Sequence, residues 1–399
     1  MLHNKQALYF VFITVLLDAI GIGIIIPVMP KLIVELTGQG LSYAAIYGGW
    51  LLFIYSLMQF FCAPILGNLS DCYGRRPVLL FSLVSLSINY AIMSFAPNLY
   101  WLFLGRLFTG IAGATYGTAA AYVADVSSPK ERAQNFGLIG AAFGVGFIVG
   151  PALGGILGEY GTRIPFYCSS VLALLVAIYG FFVAPETLTK ERRRPFLWKR
   201  ANPIGALLSM KQFPIVSGLL IVLFVAQIAR DSYASIWTYY SIESFKWSES
   251  EIGYSLALVG ILLALVQGKL IRVVIPKIGE RKALLLGLFM AGCAFTGFAF
   301  ARQTWVACLF IVVSSLGGFI DPSIRAIMSN QIDENQQGEL QGAISSLVSF
   351  SAILSPIIMT QTFSYFTGKD NIFYFPGAPF ALAAILIICS MLILLKVQK

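Results

Sequence analysis

Apolar runs long enough to cross a bilayer recur along the whole chain, and no other feature constrains its fold as much. A span needs roughly 20 predominantly apolar residues. Runs of about that length fall at 8–29, 44–67, 78–96, 99–124, 134–158 and 164–184, then at 213–241, 251–274, 283–301, 304–329, 339–363 and 375–395. Polar loops separate these twelve runs, the longest of them 185–212. With 58% hydrophobic and 11% charged residues, the chain has more apolar side chain than a soluble interior can hide, so the bilayer is its solvent. Backbone in lipid must satisfy its own hydrogen bonds, and the sequence therefore predicts an all-α membrane protein with twelve transmembrane helices. The run from Leu8 to about Val28 is too long for the apolar core of a signal peptide and ends in no small-residue cleavage site, so it reads as the first span.

The net charge of +9 raises the question of nucleic acid, and the placement of the cations answers it. Seventeen Lys and Arg, among them Arg75, Arg76, Arg192, Arg193, Arg194 and Lys396, fall on one side of the alternating spans; five (Lys31, Arg163, Lys246, Arg302, Lys369) fall on the other. That asymmetry is the positive-inside bias and predicts both termini in the cytoplasm. The partners expected are therefore the lipid bilayer, protons and a small-molecule substrate, with no nucleic acid. The six cysteines show no paired spacing, and the only histidine, His3, lies in the N-terminal tail. No disulfide framework, metal or cofactor is expected.

The chain reads as two six-helix bundles, 1–184 and 213–399, joined by a basic linker, 185–212, expected to lie on anionic headgroups. The halves look repeated: GRRPVLL at Gly74 to Leu80 is echoed by GERKALL at Gly279 to Leu285, each opening a third span, with Pro276 where Asp71 stands in the first copy. Paired bundles with a midplane site are a common transporter architecture.

The first loop, GNLSDCYGRRP from Gly67 to Pro77, holds one acid and two arginines between two spans. Its full spacing resembles the signature loop of the major facilitator superfamily. Charges inside spans are costly and usually face a cavity or a partner. Asp18 lies in LLDAIGIGIIIPVMP, a stretch that resembles the helix-1 signature of the drug/proton antiporter branch, where the acid is linked to the proton; the plain alternative is an acid hydrogen-bonded to helix ends. Arg106, in LFLGRLFTGIAGA, matches a signature whose arginine is linked to proton transfer. Helix 5 reads GAAFGVGFIVGPALGG, physically a glycine packing stripe with a proline kink; it resembles the antiporter motif, which implies export. Together these segments resemble the bacterial tetracycline/proton antiporters. The departures are equally specific: the acid of helix 3 appears as Asn89, the histidine of helix 8 as Leu263, and the acid of helix 9 falls near Gly292, whereas Gln59 and Gln267 match.

Helix 7 adds Gln227, Arg230 and Asp231, and helix 10 adds Asp321 and Arg325. Two readings stand. Either Arg230/Asp231 and Asp321/Arg325 are self-neutralising pairs, the second being four apart on one helix face, or the two arginines offer bidentate contacts to a carboxylate or phosphate group. Tyr55, Tyr116, Tyr233, Trp237 and Tyr240 either stack on the solute or pack the helices. The expected assignments are Asp18 and Arg106 for proton coupling, Gln59, Gln227, Arg230, Asp231, Asp321 and Arg325 for the substrate, and Asp71, Arg75, Arg76 and Asp125 for a cytoplasmic gate. No nucleophile motif or nucleotide-binding cluster supports an enzyme, and no loop is long enough for a sensor domain. The sequence thus predicts a monomeric proton/substrate antiporter of the bacterial cytoplasmic membrane, exporting a small polar or carboxylate-bearing drug, metabolite or siderophore. An importer of the same fold is the alternative.

Overall fold

The computed structural model describes residues 2–113, 115–128, 131–196, 213–333, 336–368, 371 and 373–397, with backbone alone for 2–7, 115, 116 and 133. Helices account for the architecture: α1 (Leu2–Ile25), α2 (Met29–Thr37), α3 (Leu41–Tyr73), α4 (Arg75–Ser94), α5 (Leu99–Ala112), α6 (Thr115–Val126), α7 (Arg132–Tyr160), α8 (Ile164–Val183), α9 (Pro214–Phe245), α10 (Glu249–Leu265), α11 (Ile271–Ile278), α12 (Glu280–Phe300), α13 (Thr304–Ser315), α14 (Ile320–Ser329), α15 (Gln337–Thr367) and α16 (Ala378–Val397). No strand occurs among the described residues. Eleven helical stretches among them are long and apolar enough to cross a membrane.

The fourth crossing is carried by two helices. In place of one continuous helix over 99–124, α5 ends at Ala112 and α6 begins at Thr115. Gly110 and Gly113 weaken the helix from within, because glycine loses the most backbone entropy on ordering. The Gln59 side chain then supplies a donor for the Gly113 carbonyl (3.3 Å), so the break leaves that acceptor satisfied. Two further interruptions sit in the second half of the chain. Val266–Leu270, which contains Gln267, is a π turn between α10 and α11. Leu316–Phe319 is a 3₁₀ turn leading into Asp321 on α14. The two turns pack on each other: a Cβ on Gly318 would meet Val266 at 3.3 Å and Leu263 at 3.5 Å. Such turns inside long helices recur at functional sites.

The chain divides into two compact units. The first comprises Met1–Gly38, Ile54–Asn202 and Ser248–Ala257. Its backbone packing is set by α7 on α1. Gly146, Gly150 and Gly154 recur every fourth residue and lie along the carbonyls of Leu16, Ile20 and Ile24, where an added Cβ would come within 2.6, 2.8 and 2.0 Å. Only glycine allows this approach, the small-residue mode of membrane helix packing. Pro151, next to the middle glycine, fits against Gly23. An apolar core of Phe10, Val15, Leu83 and Tyr122, joined by Ile139 and Ala142 of α7, packs around α1.

The second unit comprises Gln39–Phe53, Pro203–Trp247 and Leu258–Lys399. An aromatic cluster anchors it: Trp237 stacks on Tyr233 (centroids 4.5 Å apart) and meets Phe298 at 5.1 Å, while Tyr240 meets Phe380 edge-on at 4.9 Å. The start of α3 belongs here, where Ser42 Oγ donates to the Thr367 carbonyl (3.0 Å). The internal repeat is visible in backbone geometry. Gly74 and Gly279 occupy the same position before α4 and α12, with φ/ψ of 109°/159° and 81°/160°, a region open to glycine.

Candidate functional site

Asp18 lies half-buried near the middle of α1, two residues beyond Leu16 and two before Ile20. Since Leu16, Ile20 and Ile24 face the α7 glycines, a two-residue offset of about 200° turns Asp18 to the opposite face. There Tyr55 of α3 and Tyr90 of α4 both lie within electrostatic reach of Asp18 and of Arg106 on α5. Gln59, one turn along from Tyr55, donates to its hydroxyl at 3.2 Å as well as to Gly113. One acid, one guanidinium, two phenols and an amide are thereby gathered from four helices of a single unit. Asn89 borders the group; its amide donates to the Thr109 hydroxyl, which in turn donates to the Gly105 carbonyl (2.8 Å). An amide at this position bonds Thr109 without adding a second titratable group beside Asp18. The Tyr116 side chain lies outside the described residues.

The loop after α3 forms a separate charged network. Arg75 Nη1 meets Asp71 Oδ1 at 2.5 Å and Ser70 Oγ at 2.6 Å, and its Nε meets Asp125 Oδ2 on α6 at 3.2 Å. Arg75 is the hub, 8% exposed, and the carboxylates on either side satisfy it. Arg76 stands apart: its guanidinium donates to the Phe181 carbonyl at 2.5 Å and sits 5.8 Å from that ring's centroid. Three of the four expected gate residues therefore form one network, and the fourth holds α8.

Sequence reasoning missed Glu186, which organises this loop. Its carboxylate accepts the backbone N–H groups of Arg75 (3.0 Å) and Arg76 (3.3 Å), capping α4 from a position over a hundred residues away, and also those of Thr187 and Leu188. The signal was an absence: Gly74 occupies the N-cap and has no side chain with which to satisfy the first turn, so a carboxylate must arrive from elsewhere. Gly74 is doubly required, because a Cβ there would fall 2.2 Å from Glu186 Oε2. The start of the basic linker follows Glu186 onto the loop. Arg194 N donates to the Asp71 carbonyl (3.1 Å), and Asp71, Arg75, Asp125, Glu191 and the arginines 192–194 line a cavity of about 590 Å³. Residues 197–212 of the expected linker lie outside the described residues. Glu186→Gln is expected to lower stability by about 1 kcal/mol, the value of a charged helix cap. Thermal unfolding in detergent measures it, and an unchanged midpoint would show that the cap is dispensable.

In the second unit neither sequence-adjacent pair forms. Arg230 on α9 crosses to Asp321 on α14, Nη1 to Oδ2 at 2.7 Å. Asp231, about 100° further round α9, accepts instead from Gln227 Nε2 at 2.8 Å. Arg325 turns away from Asp321 and donates to Gln341 Oε1 on α15 (3.1 Å). Trp237 and Tyr240 belong to the core, 1% exposed each, and serve packing. Gly292 lines an apolar groove of about 630 Å³ with Phe289, Phe310 and Ile387, so an acid there would stand in apolar surroundings.

Comparison with known proteins agrees with this architecture. The Major Facilitator Superfamily profile matches residues 11–356 and 219–398. The chain is 39% identical over 363 residues to tetracycline resistance protein, class C, of Escherichia coli, covering 91% of each. It is 36% identical over 353 residues to the class B protein of the same organism, covering 88% of this chain and 86% of that one. Among solved structures, the nucleoside transporter NupG superposes over 100% of this chain and 98% of its own with a TM-score of 0.78 at 12% identity, a likeness of fold. The human organic anion transporter MFSD10 gives 0.70 at 22% identity, covering 98% and 99%. A family profile that runs through nearly all of the chain, and full-length relatives at this identity, place the protein in the Major Facilitator Superfamily, a family of membrane transporters and not of enzymes.

Proposed function

We propose that the protein is a proton/solute antiporter that exports a polar, zwitterionic or carboxylate-bearing drug-like compound across the bacterial cytoplasmic membrane, with both termini in the cytoplasm. The observation that carries this reading is the Asp18 group: a carboxylate inside the first apolar span, gathered with Tyr55, Tyr90 and Arg106, in a chain closely similar along its length to tetracycline resistance proteins. Asp18 holds a proton in one state and releases it in the other, and Arg106 favours the released form when it approaches. The family's alternating-access motion exposes the site to each side in turn.

The charge pattern of the second unit bears on the solute. Arg230 is already paired with Asp321, so a simple anion arriving at Arg230 would leave Asp321 without its partner. A zwitterion replaces both contacts, its carboxylate taking Arg230 and its cationic group taking Asp321. Within the second unit Gln227 supplies a further polar contact, and the Asp71–Arg75–Asp125 network of the first acts as the cytoplasmic gate. Proteoliposomes enclosing a pH-sensitive dye test the reading when tetracyclines, lipophilic cations, amino acids and polycarboxylates are added in turn. Proton movement with tetracyclines or other zwitterions supports it. Movement with polycarboxylates alone would replace the zwitterion by an anion, and silence across the panel while the protein remains folded would remove this substrate class.

A further inference from the structure

We propose that Asp231 is a second proton-binding residue, holding its proton on Oδ2 and releasing it to water when solute binds; the inference rests on the reading of the chain as a proton-coupled transporter. The argument starts from what each charged group has already engaged. Arg230, the adjacent residue, donates to Asp321 at 2.7 Å. Asp231 receives one donor, the Gln227 amide on Oδ1 (2.8 Å). Its Oδ2 is buried and has no hydrogen-bond partner. An ionised carboxylate accepts at both oxygens, and a buried one without donors is strongly disfavoured. A protonated acid reverses the requirement, because Oδ2 then becomes a donor.

The groups on each packed side bear on both forms of the acid. On α15 the facing group is Ser351, whose hydroxyl donates to the Val348 carbonyl (2.7 Å) and can turn to donate to Asp231 once the acid is ionised. On α14 the charged groups are Asp321, engaged by Arg230, and Arg325, bonded to Gln341. On α16 the single charged residue is Lys396, at the far end of the helix, and Gln39–Phe53 of the same unit contains none. With Asp231 protonated, the group of Gln227, Arg230, Asp231 and Asp321 is neutral. With Asp231 ionised, it carries one uncompensated negative charge near the middle of α9.

Coupling follows from the same geometry. When the proton leaves Oδ2 for water, the new carboxylate competes with Asp321 for Arg230, one residue away. The Arg230–Asp321 contact loosens, and both partners become available to a zwitterion. Reprotonation restores the pair and expels the solute. Asp231 thereby gives the second unit a titratable group, where the sequence has Leu263 and Gly292 in place of the histidine and acid of similar antiporters.

Infrared spectroscopy of the full chain in lipid tests the assignment without solute, by following the carbonyl stretch of protonated carboxylic acids while the bathing pH is stepped. In an Asp18→Asn background a protonated-acid band is expected to remain, and to vanish when Asp231→Asn is added. Asp231→Glu should retain it at a shifted frequency, which separates loss of the proton from loss of the fold. A spectrum unchanged by Asp231→Asn would overturn the proposal. In detergent, with a tetracycline as probe, the protons released per tetracycline bound should fall by one in Asp231→Asn, whatever its affinity; undiminished release per tetracycline bound would also overturn it. If the wild-type chain binds no tetracycline, the proposed substrate class fails, and the infrared result still decides Asp231.

Discussion

Asp18→Asn is expected to abolish proton-driven transport, a loss of at least about 100-fold in flux on the scale of removing a positioned proton-transfer group, while leaving the protein folded in the membrane. Asparagine has nearly the size of aspartate and still offers an acceptor to Tyr55 and Tyr90, so a purely structural role at this position would survive the change. What it cannot do is alternate between a neutral and a charged form. The variant is fixed as a mimic of the protonated state, and its solute movement should no longer respond to a pH difference across the membrane. In the wild type, making the outside more acidic than the inside should accelerate export; in the variant the same gradient should leave the rate flat. Asp18→Glu, which keeps a titrating group one methylene further from α1, should retain a gradient response at a reduced rate. Paired flux and thermal-unfolding measurements in the same proteoliposomes check this. Gradient-responsive flux in Asp18→Asn would transfer the proton to another residue, and Asp231 would then be the first to test.

How much of this was legible in sequence depended on how local each interaction is. The Gly146, Gly150 and Gly154 stripe was readable because its period lies within one helix, and the same four-residue spacing places all three on the α1 carbonyls. The Asp71–Arg75 contact was readable too, because both residues fall in one short loop across the Gly74 turn between α3 and α4. Glu186 was not, since its two capping bonds span 111 and 110 residues and no local pattern points from a short stretch after α8 to the first turn of α4. The pairing in the second unit misled by proximity: Arg230 and Asp231 are neighbours in sequence but lie about 100° apart on the helix, so Arg230 finds Asp321 across a separation of 91 residues. Breaks within spans were equally hidden. Hydropathy sees 99–124 and 251–274 as uniform runs, whereas α5 ends before Gly113 and the second run widens into a π turn at Gln267.

Arg230→Ala should be the most damaging single change in the second unit. Removing one partner of a buried ion pair costs about 3–5 kcal/mol when burial is complete. Here the two side chains keep 24% and 31% of their exposure, which screens part of the charge and brings the expectation to about 2–3 kcal/mol. Asp321→Ala should cost a similar amount, since it strands Arg230 in turn. The pair Arg230→Met/Asp321→Leu removes both charges while keeping volume, and its stability should return to within about 1 kcal/mol of the wild type, leaving a coupling energy of about 2 kcal/mol in the double-mutant cycle. Function should not return with it. The double variant has no contact for either end of a zwitterion, so zwitterionic solutes should lose binding in all three variants, and lipophilic cations should be affected least by Arg230→Ala. Thermal melts with solute titrations on the four proteins separate the two roles. If the double variant transports as the wild type does, the Arg230–Asp321 contact is packing alone and the solute site lies elsewhere. If stability recovers while transport stays lost, the contact is kept for the solute, because a hydrophobic pair of the same volume would hold α9 and α14 together equally well.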